Sequence, residues 1–403
     1  MILIDQPYIS SFLLQTIKDN NLEIIATEVA SAMISDKSLN WIPENEAAEF
    51  IKNNPNYPLY TNSENSISWI EKNLTSTKLP DQIQVFKNKI KFRELLKDTF
   101  PDYFFKGIKF EELVNLSMKN IKFPFIIKPA VGFFSLGVHK VDTSEEWPEV
   151  LTKIIRDINE IKGFYPNEVV DTDYFIIEEC IEGEEYAMDC YFNKESEPII
   201  LSILHHKFSN GKDVNDRVYT TSKEIIEKYL PNMQKFLDTL GALTNLKNFP
   251  FHVEVRIDKN GTIIPIEVNP MRFGGWCTTA DLSYFAYGFN SYQYFLDGTK
   301  PNWEELYKNG KNKKYSLILL DNNSGIPESE IASFDYELLL SDFENPLELR
   351  KVDFDDYPFF GMVFVETTQG NEKELDQILT SDLKKYIKVK TIKSSKPNKM
   401  IKL

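Results

Sequence analysis

The chain's 403 residues are 42% hydrophobic and 27% charged, ordinary globular values that exclude disordered, collagen-like and disulfide-stapled chains and predict two or three domains. With 46 Lys and Arg against 61 Asp and Glu, the formal net charge is -15. This disfavours a broad nucleic-acid or anionic-membrane surface, while a local lysine can still hold a small anionic ligand.

The elements follow in chain order. Ile2–Ile4 reads as a short strand, Ser10–Asn20 as a helix and Glu23–Thr27 as a second strand, an opening of the open α/β kind. It lacks G-x-G-x-x-G, so a dinucleotide site there is unsupported. Residues 40–80, rich in Asn, Pro and Ser, mark the first boundary. Lys87–Phe100 reads as a helix stopped by Pro101, Phe123–Lys128 as a strand, Ser144–Ile161 as a helix and Tyr174–Glu179 as a buried strand. Tyr186–Asn193 and Pro198–His206 read as paired strands, and Ser222–Asn245 contains a long helix. Phe251–Ile257 and Thr262–Asn269 form the clearest hairpin, and a helix is expected near Tyr284–Leu296. Past Pro301 come strands at Tyr315–Leu320 and Gly361–Glu366, a helix at Glu372–Tyr386 and a lysine-rich tail from Lys384, read as a solvated, flexible end.

No apolar stretch approaches the roughly 18 residues needed to span a bilayer, and the Met1–Asp5 apolar run has no basic leader. Cys180, Cys190 and Cys277 form no C-x-x-C pair, which argues against a disulfide framework or a cysteine zinc site and fits a reducing compartment. The expected location is the cytoplasm, with no membrane and no nucleic acid among the partners.

Chemistry concentrates in three segments. In the hairpin, residues two apart share a face, which groups His252, Glu254 and Arg256 on one strand and Glu267 and Asn269 on the other. A four-residue loop, Asp258–Gly261, would pair 252 with 267 and 254 with 265, leaving Glu254 and Glu267 diagonal, about 7–8 Å apart. Two carboxylates and an amide oxygen suit Mg²⁺ or Mn²⁺ completed by phosphate oxygens and waters. The competing reading is an exposed, salt-bridged hairpin in which Arg256 neutralises one acid.

The second segment is Phe123-Pro-Phe-Ile-Ile-Lys128-Pro129 with the small-residue run Gly132–Gly137 after it. Alone, Lys128 fits a snorkelling strand end; with the loop, whose N–H groups can cradle phosphate, it fits an anion site. The third is Glu178-Glu-Cys-Ile-Glu-Gly-Glu-Glu185, which in isolation fits a strand running into a solvated acidic turn. Of the histidines, His205 and His206 point to opposite faces of a strand, His139 follows the glycine loop, and His252 faces the metal side. Trp276 and Cys277, after Gly274-Gly275, fit either an acceptor pocket or a packed turn.

The order and spacing of these segments across residues 86–298 resemble the ATP-grasp superfamily, and within it the carboxylate–amine ligases such as L-amino acid ligase and D-alanine–D-alanine ligase, with biotin carboxylase more distant. The resemblance implies an α/β and α+β protein: a Rossmann-like N-terminal (pre-ATP-grasp) domain over 1–85, an ATP-grasp domain over 86–300 with a mobile lid at about 105–180, and an α+β C-terminal domain over 301–403. It implies ATP and Mg²⁺ (or Mn²⁺), small-molecule carboxylate and amine substrates, and allows a homodimer. Residue by residue, it places Lys128 and Lys89 (with Lys87 and Lys91 as rivals to Lys89) on the ATP phosphates, and Gly132, Ser135 and Gly137 in the loop over them. Glu178 falls on the adenine amino group, Glu179 and Ile181 frame the ring, and Glu185 lies on the ribose. Arg217 falls on the γ-phosphate, Glu254, Glu267 and Asn269 on the metal, and Arg272 on the acyl phosphate or a substrate carboxylate. Relatives read N-P-R where this chain reads Asn269-Pro270-Met271-Arg272, an arginine moved by one place. A kinase acting on a hydroxyl and a non-catalytic nucleotide-binding module use the same ATP residues and are the rival readings.

Overall fold

The computed structural model describes residues 1–132, 137–161, 173–209, 216–306, 308 and 312–390. The chain divides into two units, one of residues 1–206 and 221–311 and the other of 207–220 and 312–403.

The first unit opens with four short strands, β1 (Ile2–Leu3), β2 (Ile24–Ile25), β3 (Trp41–Ile42) and β4 (Tyr60–Thr61), in the order β3-β2-β1-β4 and all parallel. Helices α1 (Ser11–Asp19), α2 (Glu28–Met33) and α3 (Glu44–Asn53) connect them. The first two start where a hydroxyl can cap: Ser10 accepts from the Leu13 N–H and Thr27 from the Ala30 N–H. Ile2, Ile4, Leu13, Ile17 and Ile24 are fully buried between the layers. This is the α/β opening expected from the sequence.

Helices α4 (Ile67–Asn73), α5 (Leu79–Lys87) and α6 (Lys89–Leu95) lead into an antiparallel sheet of β5 (Phe105–Lys109), β6 (Phe125–Pro129), β7 (His139–Val141) and β8 (Tyr174–Glu179), ordered β5-β8-β6-β7. Helix α7 (Trp147–Ile161) covers one face, packing Trp147, Val150, Ile154 and Ile158 on Phe125, Ile127, Phe175 and Ile177. By alternation, the opposite face carries Ile126, Lys128, Ile176 and Glu178.

Next come β9 (Glu184–Phe192), β10 (Pro198–Ile200), β11 (Leu204–Lys207), β13 (Phe249–Ile257) and β14 (Ile263–Pro270), where β12 (Val218–Ser222) is taken up below. They line up as β14-β13-β9-β11, with β10 also on β9. The 22-residue helix α8 (Lys223–Thr244) brings Met233, Phe236, Leu237 and Leu240 to the same core as Met188, Cys190, Phe251 and Val253. That packing leaves the polar residues of β13 and β14 on the other side. Gly183 turns the chain from β8 into β9 at φ +115, where a Cβ would lie 2.1 Å from the Ile257 carbonyl oxygen; only glycine fits so tight a crossing. Helices α9 (Thr278–Tyr287), α10 (Ser291–Asp297) and α11 (Trp303–Leu306) complete the unit.

In the second unit β12 leads the order β12-β15-β18-β17, from β15 (Lys313–Asp321), β17 (Asn345–Lys351) and β18 (Phe359–Thr368), while β16 (Ile331–Phe334) pairs with β19 (Ile387–Val389). Helices α12 (Tyr336–Leu340) and α13 (Lys373–Leu379) help bury Ile318, Leu320, Val363 and Val365.

Three expected helices are shorter or broken. The one expected over 87–100 begins at Lys89, because Asn88 leaves helical geometry and its side chain caps the Ile90 and Lys91 N–H groups. The one near 284–296 is two helices, separated where Gly288 takes φ +75 and Asn290 caps again. The one over 372–386 stops at Leu379, and Tyr386 lies in a separate 3₁₀ turn. Of the lysine-rich tail, residues 391–403 lie outside the described residues. Among the described residues no helix is long and apolar enough to cross a membrane.

Candidate functional site

The hairpin sets the site. Its register differs from the simple four-residue loop: Ile257 pairs with Ile263 and Val255 with Pro265, then a bulge at Ile266 brings Glu254 directly opposite Glu267 and His252 opposite Asn269. Pro265 has no N–H to give a ladder, and its carbonyl accepts instead from Arg93 Nη1 at 2.6 Å. The bulge therefore replaces the expected diagonal by a facing pair, for which side chains start about 4.5–5.5 Å apart. The Glu254 and Glu267 side chains keep 23% and 20% exposure, so both can reach a ligand. Asn269 Nδ2 donates to Glu267 Oε1 at 3.4 Å.

Two facing carboxylates repel, and the surroundings split them. Burial pushes both up, but Lys89 and Lys128 outweigh it at Glu267 and hold that carboxyl down at about 2. Glu254 is raised, by burial and then by the Glu267 charge, against an opposing hydrogen bond from His252. The donor set is two carboxylates and an amide oxygen, all hard oxygen donors. Among the described residues no three His, Cys, Asp or Glu side chains form a closed metal cluster. An open oxygen site of this kind suits Mg²⁺ or Mn²⁺ sharing phosphate oxygens and water.

Three cations approach from two elements, α6 and β6. Lys89, at the first position of α6, donates to Glu267 Oε2 at 2.9 Å and to the Gly132 carbonyl at 3.3 Å. Lys128, at the end of β6, donates to Glu178 Oε1 at 2.6 Å. Arg93, one turn beyond Lys89, donates from Nε to Glu178 Oε2 at 2.8 Å. The rivals to Lys89 lie elsewhere: Lys87 is buried against Glu64, and Lys91 is exposed. Gly132 and Gly137 flank the loop, Gly137 at φ +69, whereas residues 133–136, with Ser135, lie outside the described residues.

At the hinge after β8, Glu178 is only 2% exposed and its carboxyl is held at about 2, since Arg93 and Lys128 outweigh the burial that would raise it. Glu179 accepts from Lys122 at 3.3 Å, and its carbonyl accepts from the Tyr103 hydroxyl at 3.2 Å. The Ile181 carbonyl accepts from Arg256 Nη1 at 2.8 Å, while Glu185 accepts from Arg256 Nε at 3.0 Å and meets His206 Nδ1 at 2.9 Å. Arg256 thus braces the hinge through Glu185 and Ile181.

Beyond the hairpin the extra residue is absorbed by the backbone. Met271 adopts φ +68 and buries its side chain, and Arg272 turns to donate to Glu64 from Nε at 3.0 Å and from Nη2, and to the Phe273 carbonyl from Nη1 at 2.8 Å. Glu64 thus joins Arg272 to Lys87. Burial and the neighbouring Lys89 and Arg272 charges push the Lys87 ammonium well below its ordinary range, while the Glu267 charge acts in the opposite sense. Trp276, half-buried at φ +56, stacks on Tyr8 with ring centroids 5.6 Å apart, and Cys277 is buried. Arg217 belongs to the second unit, where its Nη2 and Nη1 donate to the carbonyls of Asp321 at 3.2 Å and Ser381 at 3.4 Å.

Three residues escaped the sequence reading. Asp189, fully buried, meets His252 Nδ1 at 2.8 Å and accepts from the Gly274 N–H at 2.9 Å and from Thr279 Oγ1. Despite burial, hydrogen bonds to Asp189 and Glu254 raise His252 to about 9. A lone acid inside an apolar strand was its available signal. Arg93 was legible from the i, i+4 spacing to Lys89. Glu64 carried none, because its partners lie 23 and 208 residues away.

Residues 121–280 match the model of the ATP-grasp domain family. This span has the ATP-grasp fold. The matched span runs from the strand that carries Lys128, through the Glu178–Glu185 hinge, to the β13–β14 hairpin and Arg272. Whole-chain similarity to solved structures agrees. L-amino acid ligase from Bacillus licheniformis is 17% identical at a TM-score of 0.66, covering 96% of this chain and 97% of that one. N5-carboxyaminoimidazole ribonucleotide synthetase from Thermotoga maritima is 16% identical at 0.61, covering 96% and 98%. Biotin carboxylase from Campylobacter jejuni, solved as a β,γ-ATP complex, is 13% identical at 0.61, covering 91% and 87%. At these identities the shared property is the ATP-grasp fold. Comparison with curated proteins gives no significant match.

Proposed function

We propose that this ATP-grasp protein is an ATP- and Mg²⁺-dependent ligase that joins a small-molecule carboxylate to an amine through an acyl phosphate, releasing ADP and phosphate. The observation that carries the reading is the facing Glu254–Glu267 pair with Asn269 beside it and two buried lysines, Lys89 and Lys128, turned toward the same place. Such a set gathers metal-holding oxygens and phosphate-holding cations around one hairpin, which is the requirement of phosphoryl transfer.

Glu254, Glu267 and Asn269 would hold Mg²⁺ or Mn²⁺; the ion supplies charge neutralisation on the transferring phosphoryl group. Lys89 and Lys128 bind the phosphates of ATP. Lys89 now occupies Glu267, so it is already placed beside the hairpin. The resemblance gives Gly132, Ser135 and Gly137 to the phosphates. Glu179 and Ile181 frame the adenine and Glu185 the ribose, braced by Arg256; the resemblance gives Glu178 to the adenine amino group. Arg272, a planar donor suited to carboxylate and phosphate, serves the acid substrate or its acyl phosphate. Excluding water preserves the acyl phosphate until the amine attacks. No protein nucleophile is required. The relatives named above as ligase and synthetase support the reaction class.

The test is release of ADP and free phosphate from Mg·ATP across a matrix of carboxylic acids and amines. The ligase reading predicts phosphate release that needs one acid and one amine together. ADP formation with a phosphorylated alcohol and no free phosphate would replace it with the kinase.

A further inference from the structure

The Glu178 carboxylate is buried, and each of its oxygens has a different cation. Oε1 takes Lys128 at 2.6 Å and Oε2 takes Arg93 at 2.8 Å, with side-chain exposures of 3%, 7% and 3% for Glu178, Lys128 and Arg93. The register explains the meeting: Lys128 pairs with Ile176 and Ile126 with Glu178, so both charged residues sit on the sheet face away from α7. Of the two cations, Arg93 is the fixed one. Its Nη1 donates to the Pro265 carbonyl at 2.6 Å, and its guanidinium carbon lies 4.5 Å from the Tyr103 ring centroid. Lys128 is a single ammonium on a flexible stem, and its charge also acts on Glu267 across the site.

We propose that Glu178 is the counter-ion of Lys128 in the nucleotide-free protein, and that Arg93 is a positioning residue which retains the Glu178 charge when Lys128 transfers to a phosphate. The inference rests on the ATP reading above and gives Glu178 a different task from reading the adenine amino group. A buried ion pair that loses one partner leaves an uncompensated charge, a strongly unfavourable state. With Arg93 present, the departure of Lys128 leaves Glu178 still paired. Without Arg93, a phosphate could take Lys128 only by stranding that carboxylate. Arg93 therefore lowers the cost of phosphate binding without touching the nucleotide.

The experiment is calorimetric titration of the full chain with ATP, ADP and adenosine, for the wild type, R93M, R93K, E178Q and R93M/E178Q, with near-UV circular dichroism to check folding. R93M is expected to weaken ATP and ADP by about tenfold or more and to leave adenosine within about twofold, with R93K in between. E178Q is expected to bind ATP at least as tightly as the wild type, and the double variant to regain most of what R93M loses. Equal weakening of ATP and adenosine by E178Q would overturn the proposal in favour of adenine recognition. Additive losses in the double variant would overturn it as well. Should R93M not fold, R93K and E178Q decide on the same criteria. Absence of ATP binding by the folded wild type would instead overturn the ATP reading, and this inference with it.

Discussion

Glu254→Gln is expected to lower Mg²⁺-dependent ATP turnover by about 10²–10³-fold, the range for removing one electrostatic element of an active site, while leaving the nucleotide-free protein at least as stable as the wild type. The two effects have one cause. Glu254 stands directly opposite Glu267, and its carboxyl is raised by burial and by that neighbour. In the absence of a cation the second negative charge is a burden, and a neutral amide of the same shape relieves it. With Mg²⁺ bound the same charge is a ligand, and the amide is a weaker one. Thermal unfolding measured without ligand, with Mg²⁺ alone and with Mg·ATP checks this directly. The wild type should gain stability on adding Mg·ATP and the variant should gain much less. A variant that loses stability without ligand and keeps its turnover would show that the pair is a structural feature of the hairpin.

The second large effect concerns acid. Glu178 has a folded-state value of about 2 against an ordinary 4.5, so its carboxylate is favoured by folding. The sign follows from the depression: the stabilisation is fully present above about pH 4.5 and is lost as the pH falls toward 2. The depression corresponds to about 3 kcal/mol at neutral pH, as an order of magnitude for a buried group with two cations. Urea unfolding of the wild type and E178Q at pH 6 and again near pH 3 measures it. The wild type should be the more stable at pH 6, and most of that advantage should vanish near pH 3. A stability gap that does not change with pH would mean that Glu178 is not ionised in the folded protein.

How much of the site was legible in the sequence depended on the range of the interaction. The period of two in β13 and β14 was enough to put His252, Glu254, Glu267 and Asn269 on one face, because alternation is a local property of the strand. The register was not, since it turns on a bulge at Ile266 next to a proline that cannot donate. Lys89 and Lys128 stood out as lysines beside a helix start and a strand end, yet choosing Lys89 over Lys87 required Asn88, whose cap breaks the helix between them. Arg272 was readable as a displaced arginine; the left-handed Met271 that turns it onto Glu64 was not. The alternation that identified the hairpin could equally have drawn attention to Asp189, opposite His252 on β9. Among the elements, the long strands were read to within about two residues, Pro198–His206 proved to be two strands, and short or edge strands such as β3, β4, β5 and β16 were not read. Helices were overextended wherever Asn88, Gly288 or Asn290 supplied a cap inside a continuous apolar pattern.

The most direct test of the central claim follows the oxygen atoms. With an acid–amine pair that supports turnover, the carboxylate is labelled with ¹⁸O and the phosphate released is analysed by mass spectrometry. A ligase working through an acyl phosphate transfers one labelled oxygen from the carboxylate to inorganic phosphate in each turnover. Phosphate free of label would contradict the account.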